Sequence, residues 1–254
     1  MEKVIERPAS RGQLRTNLED DIKRAARRLL IRGGADALTL AAIARELGIT
    51  APAIYRYFTD LEALTRTLAH ELVTELTEHM QMRVDAVPDD DPEARIQVAT
   101  REFREWTRTH RAEFALLFGT PPQATGTAHD YVARDWVCRL STVFGEPFTA
   151  LWQRGAISVP TDEELEPALL DELARYREAA HLDLSLGAVS AFLSCWNRIY
   201  GMTCLETFDY FGFTFTDHNP LFENLVRELT SYLGMRFRTP EELAAIAVPD
   251  VHSQ

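Results

Sequence analysis

The chain has 254 residues, 46% of them hydrophobic and 26% charged, with 27 Lys and Arg against 39 Asp and Glu and a formal net charge of -12. That is enough chain for one large domain or two small ones with proper cores, and the composition excludes a disordered or low-complexity protein. The net charge argues against a simple nucleic-acid coat, yet residues 1–60 carry 11 basic and 8 acidic residues while residues 61–254 carry 16 and 31, so a basic head precedes an acidic body.

Helical spacing dominates along the chain. Residues 1–16 read as a basic N-terminal arm in which Arg7, Arg11 and Arg15 can meet phosphates or a minor groove. Leu18, Ile22, Ala25/Ala26 and Leu29/Leu30 then mark an amphipathic helix closed by Gly33-Gly34. Thr39 is a good N-cap for a short helix through Leu47, with Ile43, Ala44 and Leu47 inward. Gly48 stands where a left-handed residue ends that helix, and Ile49 plugs the turn. Thr50 can cap a second short helix through Phe58, with Pro52 in its first turn, where a missing N–H matters little. Two short helices joined by a three-residue turn with Gly first make a helix-turn-helix.

At 100° per residue, Ile54 and Phe58 form the inward edge of the second helix, and Pro52, Ala53 and Arg56 point away. Small residues at its start admit close approach to a major groove. Arg56 can then meet a base or a phosphate, and Thr50, Tyr55 and Tyr57 can meet phosphate oxygens.

A long helix from about Asp60 to Val84 follows, broken by Pro88-Asp89-Asp90-Asp91-Pro92. Further helices are expected from Glu93 to Thr109, onward through Phe118, and from Asp130 to about Gln153, the last bent at Gly145-Glu146-Pro147. Thr161 and Glu164 form a capping-box pattern. Two late helices, around Val189–Tyr200 and Leu221–Leu233, are the most apolar. Phe211 to Phe215 reads as an aromatic connector rather than a strand, and Pro240 to Gln254 as a peripheral tail, frayed at its end. The fold class is therefore all-α. Its parts are the arm, a helix-turn-helix head over residues 17–77, a helical body over 78–237, and a tail over 238–254.

Other chemistries find little support. Cys138, Cys195 and Cys204 are odd in number without a Cys-x-x-Cys pair, as expected of reduced cytoplasmic thiols. Residues 1–12 hold no secretory pattern, and the run Leu184–Trp196 is too short and serine-rich to span a bilayer. His70-Glu71 lacks the second His of a zinc-protease helix, and Glu178-x-x-His181 has no partner pair for a di-iron site. No phosphate-cradling glycine loop or nucleophile elbow is present. No metal, cofactor, catalysis or membrane contact is expected.

Residues 17–77 resemble the DNA-binding domain of the TetR family of transcriptional regulators. The resemblance rests on Gly33-Gly34, Leu38-Thr39-Leu40, Ile43-Ala44, Leu47-Gly48, Ala53-Ile54-Tyr55-Arg56-Tyr57-Phe58 and the entry at Leu61 to Leu64. It departs at Tyr57, often His, and at Asp60-Leu61, where a phosphate-binding Lys is usual. The resemblance implies that Thr39, Thr50, Tyr55 and Tyr57 touch the DNA backbone, and that Ala51, Pro52, Ala53 and Arg56 face bases or the groove. Residues 102–120 and 195–211 resemble a sensor type named for Trp, His and Gly, with Trp196, Tyr200 and Gly201 at those places.

That resemblance implies a body that binds a small-molecule effector and pairs through its last two long helices into a homodimer on a pseudo-palindromic double-stranded operator. Such a protein is a ligand-responsive transcriptional regulator, a repressor by family habit. Phe118, Trp136, Phe192, Trp196 and Tyr200 are the candidate pocket residues, because aromatics with a few polar groups line such cavities. Two other functions remain open: an interaction protein on the same fold without DNA binding, and a helical enzyme.

Overall fold

A computed structural model describes residues 11–118, 128–210 and 212–247, the side chains of residues 11–17, 128–138 and 247 excepted. The described residues form eleven α-helices and no strand. In chain order these are α1 (Arg11–Gly33), α2 (Leu40–Leu47), α3 (Ala51–Ile54), α4 (Leu61–Asp85), α5 (Pro92–Thr109), α6 (Arg111–Phe118), α7 (Ala128–Gln153), α8 (Pro167–Ala179), α9 (Leu186–Thr207), α10 (Asn219–Leu233) and α11 (Pro240–Ala247). They fall into two compact units, Met1–Leu72 with Ala112–Val132, and Val73–Arg111 with Ala133–Gln254.

In the first unit, Ile22, Ala26 and Leu30 of α1 are buried with Ile43 of α2, Ile54 of α3, Phe58, and Leu64 and Leu68 of α4. α1 begins at Arg11, so Arg11 and Arg15 belong to the helix and do not precede it. Arg7 lies outside the described residues.

The cap of α2 forms as its sequence requires: Ala42 N donates to Thr39 Oγ1 at 3.1 Å, a bond worth about 1 kcal/mol. Gly48 ends the helix in the left-handed region (φ 65°), and Ile49 N closes the turn on Ala44 O at 3.0 Å. Thr50 makes no side-chain cap. Pro52 has no N–H to give it, and Ala53 N is already bonded to Thr50 O at 2.9 Å.

The second helix is shorter than expected. α3 stops at Ile54, and Tyr57 N and Phe58 N both converge on Ile54 O at 2.9 and 3.0 Å. This tight turn still buries Ile54 and Phe58 together. Asp60, the departure from the family pattern, caps the next helix: Ala63 N donates to Asp60 Oδ1 at 2.7 Å.

In the second unit, Asp91 caps α5 through Ala94 N at 3.0 Å, with Pro92 at its first turn. α7 runs unbroken through Gly145-Glu146-Pro147. The Thr161–Glu164 pair forms, Thr161 N donating to Glu164 Oε2 at 2.8 Å, but it opens a single 3-10 turn, Asp162–Glu164, ahead of α8. That turn locks onto α9, because Asp162 Oδ1 accepts from Gly187 N at 2.8 Å. The approach is so close that a Cβ on Gly187 would lie 1.8 Å from Pro160 O.

The C-terminal expectation needs correction. Residues 240–247 form α11 instead of a peripheral tail. Thr239 and Glu242 cap it reciprocally, Thr239 N to Glu242 Oε2 at 2.9 Å and Glu242 N to Thr239 Oγ1 at 3.2 Å. Leu243, 4% exposed, packs on Val87 and Ala94. The signal was present as Thr-x-x-Glu before an apolar run, the same pattern as at Thr161. Residues 248–254 lie outside the described residues.

Candidate functional site

The helix-turn-helix presents most of its polar groups outward. Thr39, Thr50, Pro52 and Arg56 are exposed, Ala51, Ala53 and Tyr57 are half-buried, and Tyr55 is 57% exposed. The cap bond uses only a lone pair of the Thr39 hydroxyl, so its proton remains available to an outside acceptor such as a phosphate oxygen. The side chains of Arg11 and Arg15 lie outside the described residues.

Much of the basic charge on the described side chains of this unit is paired inside it. Lys23 pairs with Asp20 and Glu71, and Arg24 with Asp21. Arg27 holds Glu113 of α6, a carboxylate only 4% exposed, at 3.1 Å. Arg28 (2.7 Å) and Arg32 both grip Glu46, tying α1 to α2. The Arg28 hydrogen bond, with Arg32 beside it, holds the Glu46 carboxyl below the usual carboxylate range. Among the described basic side chains of this unit, Arg45, Arg56 and Arg66 alone have no carboxylate partner. Sequence reasoning singled out Arg56 and missed Arg45, which is exposed on α2. Nothing in the sequence separates Arg45 from the paired arginines; only the pairing pattern does.

The second unit contains an apolar cavity of about 40 Å³ between α5, α7, α9 and α10. Ile96 and Thr100 of α5, Phe144 and Phe148 of α7, Phe192 and Trp196 of α9, and Leu229 and Leu233 of α10 form much of its wall. The rings interlock: Phe148 meets Phe192 edge-on at 5.3 Å, and Phe144 meets Trp196 at 5.7 Å. Two predicted pocket residues, Phe192 and Trp196, therefore line the cavity. Tyr200 stacks on Trp196 at 5.8 Å, one turn further along. Phe118 packs on Phe114 in the first unit at 4.8 Å and is not part of the wall. The Trp136 side chain lies outside the described residues.

Phe148 escaped notice, although Phe144 and Phe148 share the four-residue spacing of Phe192 and Trp196. Burial pushes the Cys195 thiol in the wall up to about 12, so it stays neutral. It also raises Tyr200, whose hydroxyl interacts with Cys204.

Near the end of α5 lies a buried charge cluster that sequence reasoning did not identify. Arg104 and Glu206, 7% and 3% exposed, pair through two hydrogen bonds of 2.7 and 2.9 Å. Arg104 also donates to Asn219 Oδ1 at 2.9 Å and lies over the Phe222 ring at 4.4 Å. The guanidinium thus joins α5, α9 and α10. Among the described residues no group of His, Cys, Asp and Glu is arranged to hold a metal ion, and no helix is long and apolar enough to cross a membrane.

Among the described residues, a capped helix-turn-helix with an exposed arginine that has no carboxylate partner, and an all-helical body with an apolar cavity, fit a DNA-binding transcriptional regulator. Residues 22–68 match the profile of bacterial regulatory proteins of the tetR family, and residues 96–229 match the tetracyclin repressor-like C-terminal domain. The chain belongs to the tetR family. It is 28% identical over 230 residues to the HTH-type transcriptional regulator Rv1816 of Mycobacterium tuberculosis, covering 90% of this chain and 97% of that one. It is 30% identical over 128 residues to the tetracycline repressor protein class A from transposon 1721 of Escherichia coli, covering 50% of this chain and 57% of the repressor. The crystal structure of a proposed regulatory protein, SCO4313, shares the fold with a TM-score of 0.66 at 23% identity, covering 88% of this chain and all of that one.

Proposed function

We propose that the protein is a homodimeric repressor that leaves its operator when a small molecule enters the cavity of the second unit. The observation that carries the DNA-reading half is Arg56, an exposed guanidinium with no carboxylate partner among the described residues, in a unit that pairs most of its other described cations. In this reading Arg56 meets a base edge or a phosphate. Ala51, Pro52 and Ala53 let the backbone approach the groove. Thr39, Thr50, Tyr55 and Tyr57 meet phosphate oxygens, and Arg11 and Arg15 add contacts from the first helix. Arg45 joins this set, because it too is exposed and unpaired. The protein works in the cytoplasm, where its DNA is, and performs no catalysis.

Two copies are required, because the two halves of a palindromic operator lie about one helical turn, ~34 Å, apart. The outward side of α9 and α10 supports their pairing into a four-helix arrangement: Leu205, Phe208 and Tyr232 are exposed there. A ligand shifts DNA affinity only if it binds one arrangement of the heads more tightly than the other. The chain offers a covalent route for that bias. α5 walls the cavity and turns at His110, whose N–H and Nδ1 both bond Trp106 O at 2.9 and 3.0 Å. α6 follows, and its Glu113 grips Arg27 of α1. In this reading, movement of α5 reaches the head through the chain itself. Light scattering of the purified protein should return twice the chain mass at micromolar concentration; a species of single-chain mass would refute the dimer.

A further inference from the structure

Resting on the reading of this cavity as the effector site, we propose that the effector is an uncharged, predominantly apolar molecule, held by shape and ring contacts with no ionic anchor and no free side-chain amide or hydroxyl donor in the wall. The argument lies in what the wall's polar groups already do. No Asp, Glu, Lys, Arg or His lines the cavity. Gln97, buried in this wall, has both its amide protons spent: its amide N donates to Arg236 O at 2.9 Å and Glu93 O at 3.2 Å, and its carbonyl accepts from Arg238 N at 2.9 Å. It straps the segment after α10 to α5 and leaves no donor for a ligand.

The protons of the two threonine hydroxyls are spent as well. Thr100 Oγ1 donates to Ile96 O at 2.8 Å, and Thr230 Oγ1 donates to Arg227 O at 2.9 Å. The Cys195 thiol, raised to about 12, offers no charge. A carboxylate or ammonium entering this space would lose its water without finding a counter-ion, which is prohibitive for a charged group. An apolar molecule loses nothing it needs, and dry cavities of this lining accept hydrocarbons.

Size adds a second consequence. The space, partly open to its surroundings, is about 40 Å³, against roughly 300–1,000 Å³ for pockets that hold drug-sized ligands. A larger occupant therefore displaces side chains of the wall and favours that rearranged body over the one in this structure. That is the differential affinity a regulatory ligand must have.

Three probes of one skeleton separate charge from shape: butylbenzene, 4-phenylbutanoate and 4-phenylbutylammonium, titrated into the full-length protein by calorimetry and thermal shift. Butylbenzene should bind about tenfold or more tighter than either ion. Leu229→Trp, which fills the cavity, should abolish its binding. Thr100→Val and Thr230→Val should leave its affinity within about twofold, because both hydroxyl protons are already bonded to backbone and a hydrocarbon has no donor for the remaining lone pairs. Equal affinity for the three probes, including no binding of any, overturns the proposal. So does tighter binding of an ion, or loss of binding in the valine variants. Selective butylbenzene binding without release of DNA in a gel shift would instead refute effector control and leave the cavity's chemistry standing.

Discussion

Replacing Arg56 by Ala is expected to weaken operator binding roughly tenfold to a hundredfold while leaving the fold intact. A good bidentate contact to a base is worth about 1–3 kcal/mol, and each 1.4 kcal/mol is tenfold in affinity. Arg56 sits after the last residue of α3, exposed, with no carboxylate to release when it is removed. Surface changes of that kind leave stability within about 0.5 kcal/mol. A gel-shift titration reads the first effect and a denaturation curve the second. Unchanged DNA affinity would remove Arg56 from the contact set. Equal weakening on every DNA sequence would make it a phosphate contact, whereas relaxed preference at one base pair per half-site would make it a base reader.

The largest effect on stability should come from the body. Glu206→Ala leaves the Arg104 guanidinium buried with only Asn219 and the Phe222 face for company. Breaking a buried pair on one side typically costs about 3–5 kcal/mol, because the remaining charge has lost both water and partner. Replacing the two together, Arg104→Met with Glu206→Leu, should recover most of that loss, since an apolar pair of similar volume carries no desolvation penalty. Chemical denaturation measures both variants. A loss below about 1 kcal/mol for Glu206→Ala would show that water reaches the guanidinium and that the cluster does not hold α5, α9 and α10 together.

Local signals told most of the head in advance. Thr39, Gly48, Ile54 and Phe58 each act through their near neighbours, and each takes the place its residue type demands. The errors there are also local and have local causes. Pro52 removes the N–H that Thr50 would have capped, and the helix expected to reach Phe58 closes into a turn on Ile54 O.

The body was less legible because its decisive contacts are distant in sequence. Glu206 lies 102 residues from Arg104, and Gln97 reaches a backbone 139 residues away. No periodicity points to such partners. The cavity was half visible: the Phe192–Trp196 spacing marked one wall, but the opposite walls on α5 and α7 required the fold. α11 was overlooked despite a complete capping pattern, since nothing in the sequence shows that Leu243 has Val87 and Ala94 to pack on.

The net charge of -12 takes on a definite meaning in this setting. The basic excess of residues 1–60 is not a diffuse attraction, because Lys23, Arg24, Arg27, Arg28 and Arg32 are bound to carboxylates. Among the described side chains of residues 1–60, Arg45 and Arg56 are the exposed cations without a carboxylate partner, ahead of an acidic body that repels the same polyanion.

Selection of bound sites from a random pool of double-stranded DNA by the full-length protein tests this most directly. The enriched sequences should contain an inverted repeat, with half-sites centred about one helical turn or a multiple of it apart, and should be lost with Arg56→Ala. Enrichment of no sequence, or of a site without two-fold symmetry, would contradict a dimer that reads DNA through its helix-turn-helix.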